Sequence, residues 1–591
     1  MAHQSWSVLD APNPTYLWTQ LLVEELVRNG VHTFFVAPGS RSTPLTVAIA
    51  RHPEAESVLH VDERGAAFAA LGVGRAARGP AAWVTTSGTA VANGLPAAVE
   101  ASVDGVPMLL LTADRPPELR DTGANQTIDQ VKIFGDYVRW QADVPPPSDE
   151  VDPAYVLTTA DQALHQTLRA PAGPVHVNCM FRKPLEPVET EASVAVPTAV
   201  DAWARGTEPY THYPTPAPSP PGPEVDALAE TVRGTEHGLV VAGRLDSAAA
   251  ADATRRLATH LGWPFIPDLT SRLRRGGREQ PEQVPYGDLV LTSAAFREGH
   301  PPRAVLQVGG RFASKRLRLF LRDSAPEVWA VVRPDPSRID PDHRVTHHVE
   351  AAVPAAVDAL VARLEEGRRG TTWRDDWAGA SERAGAVVQA HVQESDALTD
   401  PLVAALLTEE MPSEHALVAA SSMPVRDLNR HAAPGGTGGP AFANRGASGI
   451  DGTVATAAGI AEGRDGPVTL LIGDLALQHD LNGLALLQDR PVVAIVVNND
   501  GGGIFHFLPI REHDEFDPYF TTPHGHDFEH AAALFDLPYH RPDSPSALRS
   551  AYAQACRSGE SALIEVQTDR ATNRQVHDRL EASVERAVEE G

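Results

Sequence analysis

Short apolar runs recur along the whole chain, and helical stretches separate them. A run such as residues 107–113 (PMLLLTA) has no polar alternation, which is typical of strands buried on both faces of a parallel sheet. The stretch at residues 16–30 has helical periodicity, and Gly30 is expected to end that helix. This alternation predicts an α/β fold with doubly wound, mostly parallel sheets. The predicted strands are residues 31–37, 81–86, 107–113, 173–178, 238–243, 288–293, 304–309, 328–334, 415–421, 467–473, 491–499 and 561–568.

The predicted strands fall into three blocks of similar size, so the chain is expected to form three doubly wound domains. We predict a first domain over residues 1–190, a central α/β domain over 225–370 and a third domain over 390–591. A linker is predicted over residues 191–224, because its last part contains the proline-rich run PTPAPSPPGP.

The charge balance is strongly acidic. Lys and Arg total 50 and Asp and Glu total 77, which gives a net charge of −27 and makes nucleic acid a poor partner. Among the basic residues, lysine occurs only at Lys132, Lys183 and Lys315. An acidic surface of this kind predicts a halophile-like protein, since a salt-rich cytoplasm screens its self-repulsion.

Neither a membrane segment nor a disulfide framework is expected. No apolar run reaches the ~18 residues needed to cross a bilayer, and the first residues do not resemble a secretory signal. The two cysteines, Cys179 and Cys556, lie far apart in the sequence. We therefore expect a cytoplasmic protein without a membrane partner.

Polar residues follow two successive predicted strands of the third block. Asp474 follows the strand at residues 467–473, and Asn499 lies at the end of the strand at 491–499, just before Gly501. A carboxylate, an amide oxygen and a loop carbonyl together suit Mg²⁺ holding a diphosphate. Either motif alone could be a strand-end turn, but their pairing favours a metal site.

Glu63 belongs to the motif VDERG (residues 61–65), which follows a short apolar strand. A single Glu in such a place is usually a surface or capping residue. Its functional interpretation requires a partner, namely a heterocyclic nitrogen that must take up a proton.

These residues belong to longer motifs that resemble the thiamine-diphosphate enzymes. Within that superfamily the sequence is similar to the MenD family, the 2-succinyl-5-enolpyruvyl-6-hydroxy-3-cyclohexene-1-carboxylate synthases. Asp500 stands where Asn is more usual. The matching segments occur in all three blocks and are residues 37–46 (APGSRSTPLT), 62–65 (DERG), 86–90 (TSGTA), 111–119 (LTADRPPEL), 123–126 (GANQ), 314–317 (SKRL), 421–429 (SSMPVRDLN), 444–452 (NRGASGIDG), 473–487 (GDLALQHDLNGLALL) and 498–509 (NNDGGGIFHFLP).

The resemblance implies thiamine diphosphate and Mg²⁺ (or Mn²⁺) as cofactors. Glu63 would be catalytic through N1′ of the aminopyrimidine, and Ile450 would keep the two cofactor rings folded together unless it is simply a core residue. The implied metal ligands are Asp474, Asn499 and Gly501. The full set of implied cofactor-binding residues is Glu63, Ile450, Gly473, Asp474, Leu475, Asn499, Gly501, Gly502 and Ile504.

The implied substrates are 2-oxoglutarate and isochorismate, which are both dicarboxylates. An acidic protein must concentrate positive charge locally to bind them, and arginine can grip a carboxylate with two hydrogen bonds. For any single arginine the alternative is a surface ion pair. The implied substrate-binding residues are Ser40, Arg41, Arg115, Asn125, Gln126, Lys315, Arg316, Ser422, Arg426, Arg445, Phe505 and Leu508.

The implied reaction is decarboxylation of 2-oxoglutarate and 1,4-addition of the succinyl carbanion to isochorismate, a transferase step of menaquinone biosynthesis. The family resemblance also implies a homodimer or homotetramer. Two alternatives stay open: another thiamine-diphosphate enzyme of the acetolactate-synthase or 2-oxoacid decarboxylase type, and a non-catalytic regulator that binds the cofactor. The histidines His524, His526 and His530 are interpreted as loop residues rather than zinc ligands.

Overall fold

Helices and strands alternate along the chain in the computed structural model. The structure describes residues 6–77, 79–192, 195–214, 218–220, 222–275, 280–364, 371–434 and 439–590. Among these residues, no helix combines the length and the apolar character that would let it cross a membrane.

The first segment of the chain contains six strands. Its elements are α1 (Pro14–Arg28), β1 (Thr33–Val36), α2 (Thr43–Arg51), β2 (Glu56–Leu59), α3 (Glu63–Ala77), β3 (Ala82–Thr85), α4 (Thr89–Ala92), α5 (Leu95–Asp104), β4 (Met108–Asp114), β5 (Trp140–Val144), α6 (Ala154–Leu168), β6 (Pro174–Met180) and α7 (Thr198–Ala204).

The second segment contains five strands. Its elements are α8 (Gly222–Val232), β7 (Gly238–Ala242), α9 (Ala248–Leu261), β8 (Phe265–Pro267), α10 (Gly287–Val290), α11 (Ala294–Gly299), β9 (Ala304–Val308), α12 (Lys315–Ser324), β10 (Val328–Arg333), β11 (His347–Glu350), α13 (Val353–Val361) and α14 (Thr372–Glu394).

The third segment contains six strands and the C-terminal helix. Its elements are α15 (Asp400–Glu410), β12 (Ala416–Ala419), α16 (Met423–His431), β13 (Ala441–Phe442), α17 (Thr453–Arg464), β14 (Val468–Gly473), α18 (Asp474–His479), β15 (Val492–Asn498), α19 (Glu529–Leu534), β16 (Tyr539–His540), α20 (Pro545–Ser558), β17 (Ala562–Gln567) and α21 (Arg570–Glu589).

Each segment forms one sheet, and every pairing among the named strands is parallel. The strand orders are β2-β1-β3-β4-β6-β5, β11-β10-β9-β7-β8 and β13-β12-β14-β15-β17-β16. The first and third sheets are therefore wound in the same way, and in each the order reverses beside its first strand. This confirms the prediction of three doubly wound, parallel α/β sheets.

One predicted strand is wrong. Residues 288–293 were expected to extend in the second sheet, but Gly287–Val290 form the short helix α10. Leu289 and Val290 are fully buried, so the run is apolar because it lies in the core. A short apolar run does not distinguish a buried helix from a buried strand.

The range predicted as a linker, residues 191–224, contains helix α7. Val200 and Trp203 of this helix are buried in a cluster with Leu17 and Leu21 of α1. The indole of Trp203 also donates a hydrogen bond to Glu25 at 2.7 Å. Residues 193, 194, 215–217 and 221 of the predicted linker lie outside the described residues.

The chain divides into two compact units. One unit is formed within residues 1–215 together with 444–465 and 479–490, and the other within 216–443, 466–478 and 491–591. The first unit therefore includes α17, although this helix lies between two strands of the third sheet in the sequence.

Helices α3 and α17 of the first unit approach each other closely through glycines. A methyl group at Gly72 would lie 2.4 Å from the carbonyl oxygen of Thr456, and one at Gly459 would lie 2.0 Å from that of Ala69. Both distances are far below van der Waals contact. Backbone therefore packs directly on backbone, and only glycine fits at these positions.

We predict that Gly459→Ala destabilises the protein, because the added methyl group forces α17 away from α3. The expected loss in unfolding free energy is ~1–3 kcal/mol, measured as a shift of the urea unfolding curve. The matched control is Gly299→Ala in α11, where nothing lies within 4 Å of the added methyl group. Equal stability of the two variants would contradict the close packing.

Candidate active site

Three loops converge at one edge of the first sheet. Strands β1, β3 and β4 are neighbours in this sheet, so their carboxyl ends lie side by side. The loops that follow them carry Arg41, Ser87 and Arg115. A methyl group at Gly39 would lie 2.3 Å from Thr86 Cβ, so the first loop packs directly against the second.

Arg41 and Arg115 form a buried pair of cations. Each is only 8% exposed. Burial lowers the pKa of both guanidinium groups, and the charge of Arg115 lowers the pKa of Arg41 further. Asp114 opposes the shift at both groups. Two guanidinium groups held together in this way favour an anionic ligand.

Hydrogen bonds hold the two arginines in place. Arg41 Nη1 donates to the carbonyl oxygen of Phe181 at 2.7 Å, and its backbone N–H donates to Thr86 Oγ1 at 3.3 Å. Arg115 Nη1 donates to Ser87 Oγ. Gln126 Nε2 donates to the carbonyl oxygen of Ser87 at 2.8 Å, so Gln126 belongs to the same cluster. The predicted site residues Ser40 and Asn125 are exposed.

Glu63 is the first residue of α3 and is half-buried. Asp62 precedes it, and the Asp62 carboxylate accepts the backbone N–H of Arg64 at 3.0 Å, which starts the helix at this point. Glu63 Oε2 accepts a hydrogen bond from Asn93 Nδ2 at 3.1 Å. The carboxylate is therefore oriented by an amide and keeps further acceptor capacity for a ligand.

The loop at residues 444–452, which carries Arg445 and Ile450, belongs to the same unit as Glu63. The Glu100 carboxylate accepts the backbone N–H groups of Gly446 at 2.8 Å and Ala447 at 2.6 Å. The ring of Phe68, in the second turn of α3, packs directly against Gly452 at the end of the loop. Both Arg445 and Ile450 are half-buried.

The second unit contains the predicted metal loop at the edge of the third sheet. Asp474 follows β14 and Asn499 follows β15, and these strands pair in parallel. The backbone N–H of Gly501 donates to Asp474 Oδ2 at 2.8 Å, so the two loops are in contact. Gly501 has a φ of +125°, and a methyl group there would lie 2.0 Å from the carbonyl oxygen of Thr521.

This edge of the sheet suits a divalent cation with a diphosphate. Asn499 is 9% exposed, and its Oδ1 has no hydrogen-bond partner among the described residues. Burial raises the pKa of Asp474, although the N–H of Gly501 and the ring of His524 oppose this shift. A cation bound by both oxygens would satisfy the free amide oxygen and offset the cost of the buried carboxylate. Beside them, Gly473 has open space on its side-chain face.

Neighbouring side chains fix the metal loop. Asn498 donates to Glu565 Oε1 at 2.7 Å, so its amide is already used. Asp500 Oδ1 accepts the backbone N–H groups of His524 at 2.9 Å and Gly525 at 2.8 Å. His524 Nε2 in turn lies 3.2 Å from Asp474 Oδ2. Asp500 thus positions the loop that brings His524 to the predicted metal ligand.

Predicted substrate residues of the second unit differ in how they are engaged. Arg316 donates to Asp288 Oδ1 at 2.8 Å and also pairs with Glu581 at 2.8 Å, while Lys315 is exposed. Arg426 Nη1 donates to the carbonyl oxygen of Ser422, which has a φ of +71° at the start of α16.

The predicted apolar residues of the second unit lie after the metal loop. The ring of Phe505 packs edge-on against Phe520, with centroids 5.2 Å apart. Leu508 is 39% exposed. Of the other predicted cofactor-binding residues, Gly502 and Ile504 lie just before Phe505, and Leu475 directly follows Asp474.

Some residues of these clusters were not expected from the sequence. Ser87, Asn93 and His524 contact Arg115, Glu63 and Asp474 respectively. Ser87 lies inside the motif at residues 86–90, which was a signal for its position but not for its partner. The other two contacts depend on the paths of loops.

Family models for thiamine pyrophosphate enzymes match most of the chain. The N-terminal TPP binding domain matches residues 18–133, the middle domain matches 196–418 and the C-terminal TPP binding domain matches 414–566.

Curated relatives match over nearly the whole length. A 2-succinyl-5-enolpyruvyl-6-hydroxy-3-cyclohexene-1-carboxylate synthase of Salinibacter ruber is 99% identical over 591 residues, which is 100% of each chain. The protein of the same name from Rubrobacter xylanophilus is 54% identical and covers 96% of this chain and 98% of its own length. That of Chlorobium phaeobacteroides is 40% identical and covers 97% and 98%.

A solved structure shares the fold. A candidate thiamin diphosphate-dependent enzyme from Mycobacterium smegmatis is 20% identical, with a TM-score of 0.70 over 94% of this chain and 100% of that chain. The motifs at both sheet edges and the full-length relatives agree. The chain belongs to the MenD family of thiamine-diphosphate-dependent synthases.

Proposed function

We propose that this enzyme decarboxylates 2-oxoglutarate and adds the remaining succinyl unit to isochorismate. The product is 2-succinyl-5-enolpyruvyl-6-hydroxy-3-cyclohexene-1-carboxylate, an intermediate of menaquinone biosynthesis, and the enzyme is a transferase. The observation that carries the proposal is the 99% identity over the full length to a synthase of this name.

The diphosphate and metal ion of the cofactor would be held at the edge of the third sheet. Asp474, Asn499 and the carbonyl of Gly501 would bind Mg²⁺ or Mn²⁺, and the open side-chain face of Gly473 leaves room for a diphosphate. Gly502 is a further proposed cofactor contact. Thiamine diphosphate, when bound, supplies the nucleophilic carbon and the electron sink that loss of CO₂ from a 2-oxo acid requires.

Glu63 would act on a proton at N1′ of the pyrimidine ring. Its carboxylate is already oriented by the amide of Asn93, which reduces the freedom lost on binding. Ile450 would keep the two cofactor rings folded together, and Leu475 and Ile504 are further proposed cofactor contacts.

Substrate carboxylates would be recognised by the buried cations Arg41 and Arg115. Burial lowers the pKa of both guanidinium groups despite the Asp114 carboxylate, so their charge is not fully offset before a dianion binds. Gln126 is fixed beside them through Ser87. The further proposed substrate contacts are Ser40, Asn125, Lys315, Arg316, Ser422, Arg426, Arg445, Phe505 and Leu508.

The family resemblance supports a homodimer or homotetramer as the working form. A reducing cytoplasm is the proposed location, in keeping with free thiols at Cys179 and Cys556.

The proposed reaction is tested by following isochorismate in the presence of 2-oxoglutarate, thiamine diphosphate and Mg²⁺. Loss of isochorismate that requires 2-oxoglutarate is expected. Release of CO₂ from pyruvate without isochorismate consumption would instead indicate an enzyme of the decarboxylase or acetolactate-synthase type.

Glu63→Gln should fold normally and lose most activity, because the amide cannot replace the carboxylate at N1′. A fall in kcat of about 100-fold or more is expected. The control is Glu118→Gln, whose carboxylate is 51% exposed and pairs with Arg182. Full activity of Glu63→Gln would refute the assigned role.

Asn499→Ala should weaken cofactor binding without lowering stability, because the amide oxygen has no partner among the described residues. The expected loss in apparent affinity for thiamine diphosphate is about 10–100-fold at fixed Mg²⁺, measured by calorimetry. The control is Asn498→Ala, which removes hydrogen bonds to Glu565 and His526. That variant should instead lower the unfolding temperature.

Arg115→Gln should raise the KM of a carboxylate substrate by about 10–100-fold, because a charged hydrogen bond is lost in a buried place. Its unfolding temperature should not fall, since burial of the guanidinium group is itself costly. Arg205→Gln is the control, because Arg205 is 77% exposed. An unchanged KM for both substrates would remove Arg115 from the site.

A further inference from the structure

A second group of potential metal ligands lies in the interior of the second unit. Asp427 and His431 are on α16, and His577 is on α21. Their exposed fractions are 1%, 1% and 2%. One ligand atom from each residue can be chosen so that all three atoms lie within 4.8 Å of one another.

The local helix geometry explains how these side chains meet. Asp427 and His431 are four residues apart, so they lie on the same face of α16, one turn from each other. Helix α21 supplies His577 opposite them, and the rings of His431 and His577 have centroids 5.5 Å apart.

Five polar atoms of this group find no hydrogen-bond partner in the part of the chain that the structure describes. Both ring nitrogens of His431, both ring nitrogens of His577 and Oδ1 of Asp427 have no hydrogen-bond partner among the described residues. Buried polar atoms are almost always paired in folded proteins. Five such atoms within one small cluster therefore require an explanation.

The geometry of Asp427 and His577 is closer to that of two ligands of one metal ion than to that of a hydrogen-bonded pair. Asp427 Oδ1 lies 3.2 Å from His577 Nε2, but the pair lacks the alignment of a hydrogen bond. Two ligands of one tetrahedral zinc ion, with bonds of ~2.0–2.1 Å, lie ~3.3 Å apart. In such a site both lone pairs point at the ion rather than at each other.

Charges of both signs surround these residues. Asp400, which is 4% exposed, lies close enough to Asp427 for their charges to repel, and Arg430 and Arg274 lie close enough to His431 to act on it. Arg430, the adjacent cation on α16, pairs with Asp288 and Glu581. A bound cation would offset the cost of these buried carboxylates.

We infer that Asp427, His431 and His577 bind one divalent transition-metal ion, for which Zn²⁺ is the best fit. Two imidazole nitrogens and one carboxylate oxygen suit zinc, whereas Mg²⁺ prefers oxygen ligands alone. Water would complete the coordination. The ion would join α21 to α16, the helix that begins at the proposed substrate residues Ser422 and Arg426.

The test uses the full-length enzyme purified with thiamine diphosphate and excess Mg²⁺, then exposed to Zn²⁺ and separated from free metal by gel filtration. Mass spectrometry of the metals should find about one zinc per chain. His431→Asn and His577→Asn should each lose it. His415→Asn is the matched control, because His415 is also buried but bonds Thr469 Oγ1 at 2.9 Å.

A second variant separates this ion from the cofactor metal. Asp474→Asn should keep the bound zinc while losing Mg²⁺-dependent cofactor binding. Loss of zinc in Asp474→Asn with retention in folded His431→Asn would place the ion at the diphosphate site and overturn the inference. Absence of stoichiometric zinc in the unmodified enzyme would overturn it as well.

A spectroscopic measurement keeps the inference testable if the histidine variants do not fold. Zinc X-ray absorption of the unmodified enzyme should show two imidazole ligands with bonds of ~2.0–2.1 Å. Cobalt substitution should give visible bands typical of tetrahedral coordination. A shell of oxygen ligands alone would contradict the assignment.

Discussion

Parallel pairing of neighbouring strands is the constraint on which both sheet-edge clusters depend. In the first sheet it places the loops after β1, β3 and β4 side by side, and these loops bring Arg41, Ser87 and Arg115 together. In the third sheet it does the same for Asp474 and Asn499. Because the two sheets share one winding order, the same geometric rule places a cation pair at the edge of one sheet and the proposed metal ligands at the edge of the other.

The buried cation pair beside the first sheet contrasts with the overall acidic balance of the chain. The chain carries a net charge of −27, yet Arg41 and Arg115 lie buried and close together. Bulk acidity keeps the protein dispersed, while desolvated guanidinium groups retain their strength for a dianion. The cost of burying them is a stability loss that a binding site can tolerate.

Patterns local in sequence predicted much of this molecule. The strand at 467–473 is recognisable from its apolar sequence, because β14 is buried on both faces. The position of Asp474 follows from the tendency of parallel sheets to bind ligands at the carboxyl ends of their strands. The run at 288–293 failed because α10 is equally buried. The contacts of Asn93 with Glu63 and of His524 with Asp474 depend on loop paths, which no local periodicity encodes. The packing of α16 against α21 is likewise a long-range contact that no local sequence pattern predicts.

The glycine-mediated contact between α3 and α17 has a consequence for dissecting the chain. Because α17 comes from a stretch between β13 and β14 but packs in the unit formed mainly by the first 215 residues, sequence order and physical unit do not coincide. A fragment cut after residue 215 would lack the partner of α3 and leave Phe68 and the small residues around Gly72 facing water. The protein should therefore resist division into autonomous fragments, and its first segment can acquire its complete interior only after residues beyond 464 have been synthesised.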